Sequence, residues 1–169
     1  MGMIADFSAS ETALMGYQKD KELNQGIWLK RSLVKANCVS IMEAFDVRPT
    51  DPNLMSSNFS GGNQQKLILA REFERDPEVL IIGQPTRGVD IGAIEFIRKR
   101  IIKMRDAGKA IVLISVELEE IMSLSDRIIV MCDGQITGNV NGADADEATL
   151  GMMMANALQS EESTQGVSQ

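Results

Sequence analysis

The segment "NFSGGNQQK", residues 58–66, contains the residue types that can bind an anion. Ser60 precedes Gly61 and Gly62, where the pattern predicts the start of a helix. A hydroxyl, two unobstructed backbone amides and the positive end of a helix dipole together favour a phosphate oxygen. Taken alone, these residues also fit a simple serine cap after a flexible Gly-Gly turn. Both interpretations predict a helix that begins at Gly61.

The overall composition excludes several other kinds of chemistry. The chain has 169 residues and no histidine, which excludes Ser-His-Asp hydrolysis, His-ligated zinc and a histidine general base. Cys38 and Cys132 are isolated, so we expect reduced thiols and neither a disulfide framework nor a metal site. The net charge of -7 predicts no nucleic-acid partner, because such binding needs a basic face. No aliphatic run approaches the roughly 20 residues of a membrane span.

Apolar periodicity and turn residues predict the helices that carry these segments. Ser8 and Glu11 have the capping-box spacing, so a short helix should run to about Tyr17. A second helix is predicted over 26–47, where apolar residues fall largely at helical spacing and two prolines follow. The later helices are predicted over 61–75, 92–106, 117–122 and 146–157.

The strands alternate with these helices. "VLII", "AIVLIS" and "RIIVMCD" are short apolar runs, and strands that alternate with helices predict an α/β fold with a parallel sheet. Asp133-Gly134 predicts a hairpin turn after the last of them. We therefore divide the chain into a helical subdomain (1–58), the helix that begins at Gly61 together with the α/β core (59–140), a C-terminal helix (141–157) and a disordered tail (158–169).

Two groups of side chains could take part in chemistry or binding, but we expect them to have only structural roles. Glu117, Glu119 and Glu120 are acidic residues at a predicted helix start, where the dipole favours them, so we expect them to be solvated. Tyr17 and Trp28 are expected to pack against the protein and not to stack a base.

The stretch "NFSGGNQQKLILAREFERDPEVLIIGQPTRGVD" resembles the signature-to-D-loop segment of ABC-transporter ATPases. The signature motif is followed by the acidic (Walker B) strand and by a D-loop that ends at Asp90. Asn63 in "SGGNQQK", together with "PTRGVD", is similar to the second of two tandem ATPase halves in importers of simple sugars and nucleosides. The resemblance implies a partial P-loop NTPase fold, a parallel sheet flanked by helices with an N-terminal helical subdomain. The sequence contains no G-x-x-x-x-G-K-[ST] phosphate loop.

The resemblance also implies the residues of a shared nucleotide site. In the family, each signature closes over ATP that the phosphate loop of the opposite half holds. ATP with magnesium is therefore expected only in the assembled transporter, where the contacts of this chain in trans would come from Ser60, Gly61, Gly62, Gln64 and Asp90.

The chain's own site departs from the family pattern at three positions. The family's acidic strand ends in Asp-Glu-Pro, whereas Gly83 and Gln84 precede Pro85 here. Glycine offers no oxygen to magnesium, and a neutral amide cannot accept a proton as a carboxylate does. Val116 stands where the family has a histidine that contacts the γ-phosphate. We therefore expect a degenerate site, with no metal ligand and no hydrolysis by this chain alone.

The expected partners follow from the same resemblance. They are a first ATPase half in the same longer chain, membrane permease subunits and, indirectly, a lipoprotein that binds the substrate. This implies a cytoplasmic location at the inner face of the membrane. An unpaired sheet side also predicts self-dimerisation of the separate chain. The alternative function is a regulatory or scaffold module that keeps the fold and binds no nucleotide.

Overall fold

The structure is a computed structural model that describes residues 2–17, 20–25 and 28–155. The chain divides into two compact units. The first unit comprises Met1–Leu80 and Pro85–Ala110, and the second comprises Ile81–Gln84 and Ile111–Gln169. The predicted tail, 158–169, lies outside the described residues.

The first unit is mainly helical. Its helices are α1 Ala9–Leu14, α2 Arg31–Ala44, α3 Gly61–Phe73 and α4 Ile91–Asp106. The capping box predicted for α1 is confirmed, because the Ser8 amide donates to Glu11 Oε2 at 2.8 Å and the Glu11 amide donates to Ser8 Oγ at 3.3 Å. A 3₁₀ turn at Ser56–Asn58 leads into α3.

The helix predicted over 26–47 is shorter than expected. Strand β1 (Asn24–Gln25) pairs with β2 (Trp28–Leu29) as an antiparallel hairpin, and α2 begins only at Arg31. The prediction that Trp28 packs is wrong, since its side chain is 74% exposed. The prediction for Tyr17 is confirmed, because its hydroxyl donates to the Arg71 carbonyl oxygen at 3.1 Å.

The core of the first unit lies where α2, α3 and α4 turn apolar faces inward. Three aromatic rings connect their ends, with the Phe45 centroid 5.9 Å from those of Phe73 and Phe96 in tilted and edge-on arrangements. The buried residues that these helices contribute include Val34, Cys38, Ile41, Met42, Leu67, Ala70, Ala93, Ile97 and Ile101.

The buried thiol of Cys38 provides a test of this core. Burial, with a smaller effect of the Asp51 carboxylate, raises the pKa of Cys38 to about 12. Because the thiolate is the nucleophile, we expect iodoacetamide at pH 8 to label the half-buried Cys132 at least about tenfold faster than Cys38. Mass spectrometry of the folded chain measures this ratio, and labelling in urea is the control. Equal labelling without urea would contradict the packing around α2.

The second unit contains both kinds of strand pairing. Strands β3 (Val79–Gly83) and β4 (Ala110–Ile114) are neighbours that begin in the first unit and end in the second. The Ala110 amide donates to the Glu78 carbonyl at 2.9 Å and the Gln84 amide donates to the Ile114 carbonyl at 2.8 Å. From the first of these bonds to the second, residue numbers increase along both strands. The pair is therefore parallel, as the alternation of strands and helices predicts.

A hairpin and two helices complete the second unit. Strand β5 (Arg127–Cys132) pairs antiparallel with β6 (Gln135–Asn141). The two residues that connect the strands, Asp133 and Gly134, have φ values of 49° and 77°. Two successive positive φ values are typical of the predicted hairpin turn. Helix α5 is Leu118–Leu124 and α6 is Glu147–Met154. The core residues are Ile128, Val130 and Leu150, with Leu118, Ile121, Met122, Val140, Ala145 and Met153 packed against them.

One glycine fixes a close backbone contact in this unit. Gly142 begins a 3₁₀ turn after β6, and its amide donates to the Asp126 carbonyl at 2.9 Å. A β-carbon at Gly142 would overlap the carbonyl oxygen of Ser125, at the end of α5. Any larger residue must therefore displace backbone.

The surface of the second unit differs from expectation in two respects. Glu120 is fully buried in α5, so the prediction of a solvated acidic helix start is wrong for this residue, although Glu117 and Glu119 are exposed. Strands β3 to β6, and Val116 just beyond β4, also expose large aliphatic side chains, which we call the exposed aliphatic set. Its members are Ile81, Val112, Ile114, Val116, Ile129, Met131 and Ile136. None of the described helices combines the length and the hydropathy that crossing a membrane requires.

Candidate functional site

The predicted anion-binding segment forms the start of α3. Ser60 has extended backbone angles, φ -60° and ψ 156°, and its side chain caps the helix by accepting a hydrogen bond from the Asn63 amide at 3.4 Å. Its carbonyl accepts the first intrahelical bond, from the Gln64 amide at 2.9 Å. The Gly61 and Gly62 amides belong to the first turn, where no intrahelical acceptor is available. The local geometry thus presents amides and a hydroxyl at the positive end of a 13-residue helix.

The structure brings the signature glycines next to the predicted D-loop. A β-carbon at Gly61 would lie 3.4 Å from the Gly88 carbonyl oxygen, and one at Gly62 would lie 3.2 Å from Asp90 Oδ2. Asp90 also caps α4, because its Oδ1 accepts from the Ala93 amide at 2.9 Å. One carboxylate therefore starts α4 and lies against the turn that starts α3. The approach is tight at Gly62, whereas a β-carbon at Gly61 would make an ordinary van der Waals contact.

The Gln64 side chain, predicted as a ligand contact, is half-buried and makes a local bond. Its Nε2 donates to the Phe59 carbonyl at 2.9 Å, which ties the first turn of α3 to the preceding residue. Ser60, Gly61 and Asp90 are exposed, whereas Gly62 is buried. The exposed part of the predicted set is therefore the serine, one glycine and the aspartate.

Asn63 is the residue that the sequence interpretation missed as part of this site. Its Nδ2 donates to Ser60 Oγ at 2.9 Å, and its Oδ1 accepts from the Arg48 amide at 2.7 Å. The capping-box pattern has Glu or Gln three positions after the serine and not Asn, so the sequence has no established signal for this contact. Its contact with Arg48, fifteen positions earlier, depends on the tertiary fold.

Charged residues surround this network on the surface. Asp46 accepts from Arg48 Nε at 2.9 Å and lies 3.4 Å from Lys66 Nζ. The hydrogen bond from Arg48 is the main cause that lowers the pKa of Asp46. The pair between Arg48 and Asp46 is exposed on both sides, and such pairs contribute little to stability.

The three positions predicted to be degenerate, Gly83, Gln84 and Val116, lie in the second unit, at and just beyond the carboxyl ends of the parallel strands. Gly83 ends β3 and is exposed, and no described atom lies within 4 Å of a β-carbon built on it. Gln84 has φ 51° and pairs through its amide with Ile114, two residues before Val116. Val116 is 62% exposed. Ligands of open α/β sheets bind at this end of the strands.

These positions do not fit a magnesium site. Gly83 has no side-chain oxygen, Gln84 offers only a neutral amide, and Val116 has no polar atom. Among the described residues, no group of three or more His, Cys, Asp and Glu side chains could hold a metal ion. By contrast, the donors around Ser60 fit an anion such as a terminal phosphate, which could accept bonds from a hydroxyl and backbone amides.

Comparison with known proteins identifies the relatives of this chain. No protein-family model matches it. It is 45% identical over 95% of its length to the guanosine import ATP-binding protein NupO of Bacillus subtilis (strain 168), and it covers 31% of that protein. It is also 45% identical over 90% of its length to the nucleoside import ATP-binding protein NupA of Lactococcus lactis subsp. cremoris (strain MG1363), and it covers 30% of that protein. The chain thus spans about a third of the length of these curated relatives.

Solved structures show the same fold. The ATP-binding cassette MJ0796, in a dimeric post-hydrolysis state bound to ADP and Pi, matches 82% of this chain with a TM-score of 0.68 and 21% identity. The match covers 58% of that cassette. An ATP-binding subunit of an ABC transporter matches 90% of the chain, also with a TM-score of 0.68, at 17% identity. The chain is thus similar in sequence to import ATP-binding proteins, and it has the fold of ABC-transporter ATPase cassettes.

The sequence relatives confirm the resemblance carried by the segment from Phe59 to Asp90. The predicted fold class is also confirmed, since the structural neighbours are ABC ATPase cassettes and β3 and β4 form a parallel pair with helices around them. The relatives are named for import of a nucleoside or a sugar, including a glucose import ATP-binding protein of Haloferax volcanii that is 41% identical over 90% of this chain.

Proposed function

We propose that this chain is part of the second ATPase half of an importer for nucleosides or simple sugars. In this role it completes the ATP site of a partner half, whose phosphate loop holds ATP and magnesium. The group contributed in trans comprises Ser60, Gly61, Gly62, Gln64 and Asp90. The chain's own site contributes no hydrolysis. The assembly is attached to permease subunits at the cytoplasmic face of the membrane, through the helical subdomain 1–58.

This proposal rests on the contrast between the turn at Gly61 and Gly62 and the positions 83, 84 and 116. The turn at Gly61 and Gly62 lies against Asp90 and retains an exposed hydroxyl and a helix N-terminus, which suit a phosphate. Gly83, Gln84 and Val116 have no carboxylate to hold magnesium and no side chain that could act as a general base. The names of the relatives support both ATP and the nucleoside or sugar cargo.

A scaffold that binds no nucleotide is the second candidate. The observation in its favour is that the Gln64 amide and one Asp90 oxygen already have partners within the chain. These bonds would serve a structural purpose without any ligand.

Calorimetry distinguishes the two functions. MgATP is titrated into the chain, into the separately prepared first ATPase half, and into their mixture. The proposed function predicts tighter binding in the mixture than in the first half alone, because two halves then enclose the nucleotide. A mixture that binds MgATP no more tightly than the first half would instead favour the scaffold.

Replacing Gln84 tests the assignment of the degenerate site. We expect Gln84→Ala to change ATP hydrolysis by the assembled ATPase by less than about twofold, because a neutral amide does not act as a general base. Steady-state hydrolysis at saturating MgATP measures this. The positive φ of Gln84 makes alanine mildly strained, so thermal unfolding of the variant is the control for folding. A large loss of hydrolysis in a folded variant would show that Gln84 takes part in the reaction.

A further inference from the structure

We propose that Asn63 is a positioning residue that directs the hydroxyl hydrogen of Ser60 outward, toward the anion that the signature turn receives. The inference rests on the proposed function, in which that anion is the terminal phosphate of a nucleotide. It assigns to Asn63 a role through Ser60 and no contact with the nucleotide itself.

The hydrogen bonds at Ser60 have a defined direction. A serine hydroxyl has one hydrogen to donate and two lone pairs to accept with. Both groups of Asn63 that reach Ser60 Oγ are donors, the side-chain Nδ2 at 2.9 Å and the backbone amide at the longer distance of 3.4 Å. The two lone pairs therefore face Asn63. The hydrogen remains for an external acceptor, and Ser60 is exposed on that side.

The orientation of the Asn63 amide is also determined. A backbone amide can only donate, so the atom 2.7 Å from the Arg48 nitrogen must be the oxygen of the side chain. The opposite end, the NH₂ group, then points at Ser60. A reversed amide would place two donors against each other at Arg48 and would make the Ser60 hydroxyl the donor toward Asn63. The order of donation is thus from Arg48 to Asn63, from Asn63 to Ser60, and from Ser60 to the anion.

This order of donation keeps the Ser60 hydroxyl ready to donate to an incoming anion. An unrestrained hydroxyl rotates among several acceptors, whereas a phosphate oxygen requires a donor. Because both lone pairs already accept, the hydroxyl does not need to reorient when the nucleotide arrives. Hydrogen bonds to charged groups are stronger than neutral ones, so a preset donor has a measurable effect on binding.

The test reverses a single bond. In Asn63→Asp the carboxylate still accepts from the Arg48 amide, yet toward Ser60 it can only accept, so the hydroxyl turns inward. The added charge is separated from this effect by making the same change in a Ser60→Ala background. The readout is the affinity of MgATP-driven association between this chain and the first ATPase half, measured by calorimetry with a hydrolysis-blocked first half. Asn63→Leu provides an uncharged second variant.

We expect Asn63→Asp and Asn63→Leu each to weaken association when Ser60 is present. The loss of affinity should be about tenfold greater there than in the Ser60→Ala background. A second readout uses the chain alone: the Asn63 side-chain amide signals of the ¹⁵N-labelled protein should shift in Ser60→Ala. Equal losses in both backgrounds would overturn the proposal, since Asn63 would then act through charge or folding. The proposal would also be overturned if Ser60→Ala left the affinity of association unchanged while Ser60→Phe still blocked it. That result would leave the proposed function intact. Association that survives Ser60→Phe would instead overturn the proposed function.

Discussion

Ser60→Phe is expected to lower ATP hydrolysis by the assembled ATPase by about 100-fold or more. Phenylalanine removes the hydroxyl donor and adds a bulky ring at the exposed start of α3, next to Gly61. Loss of one preorganised donor to a developing or bound anion costs a factor of this size in other enzymes. The variant also loses the side-chain acceptor for the Asn63 amide, a helix cap worth about 1 kcal/mol.

A matched control separates the loss of the site from the added bulk. Ser57 is likewise exposed and lies in the 3₁₀ turn just before the signature, so Ser57→Phe adds the same ring nearby. Hydrolysis should stay within about twofold of the parent in that variant. Steady-state hydrolysis over a range of MgATP concentrations measures both variants. Unchanged turnover in Ser60→Phe would refute a contribution of this chain to its partner's site.

Gly142→Ala is expected to destabilise the second unit by about 3 kcal/mol. The new methyl group would overlap the Ser125 carbonyl oxygen, and the same turn is held by the bond from the Gly142 amide to Asp126. Backbone cannot move aside as the end of a flexible side chain can. The end of β6 must therefore separate from α5, which also disturbs the Asp126 bond.

The control for this substitution is Gly151→Ala in α6. No described atom lies within 4 Å of a β-carbon at Gly151, and alanine favours a helix over glycine by up to about 1 kcal/mol. Urea unfolding followed by circular dichroism should shift to lower urea for Gly142→Ala and to the same or higher urea for Gly151→Ala. A Gly142→Ala protein that unfolds with the parent would show that the turn at 142–144 has another conformation.

Local signals account for what the sequence predicts well. The cap at Ser60, the capping box at Ser8 and the turn at Asp133-Gly134 each depend on residues within a few positions of one another. Their preferences are physical properties of short segments. The alternation of helices and strands, which predicts the parallel sheet, is likewise visible along the chain.

Tertiary contacts account for what the sequence does not predict. Apolar residues continue the helical period through Trp28 and Leu29, yet these two form a strand because they pair with Asn24 and Gln25. Glu120 is acidic at a helix start, yet its side chain is fully buried. The role of Asn63 depends on the Arg48 amide, which folding brings beside it. Periodicity and spacing contain no information on such contacts.

The exposed aliphatic set gives the isolated chain an unusual response to temperature. Hydrophobic association is driven by entropy near room temperature and weakens on cooling. Contacts between copies made through Val112, Ile114, Ile129 and Met131 should thus strengthen between a cold room and 25 °C, the reverse of contacts made through ion pairs and hydrogen bonds. A chain that stays dispersed in the cold and associates on warming would then report on this surface, and its assembly state has meaning only together with the temperature at which it was observed.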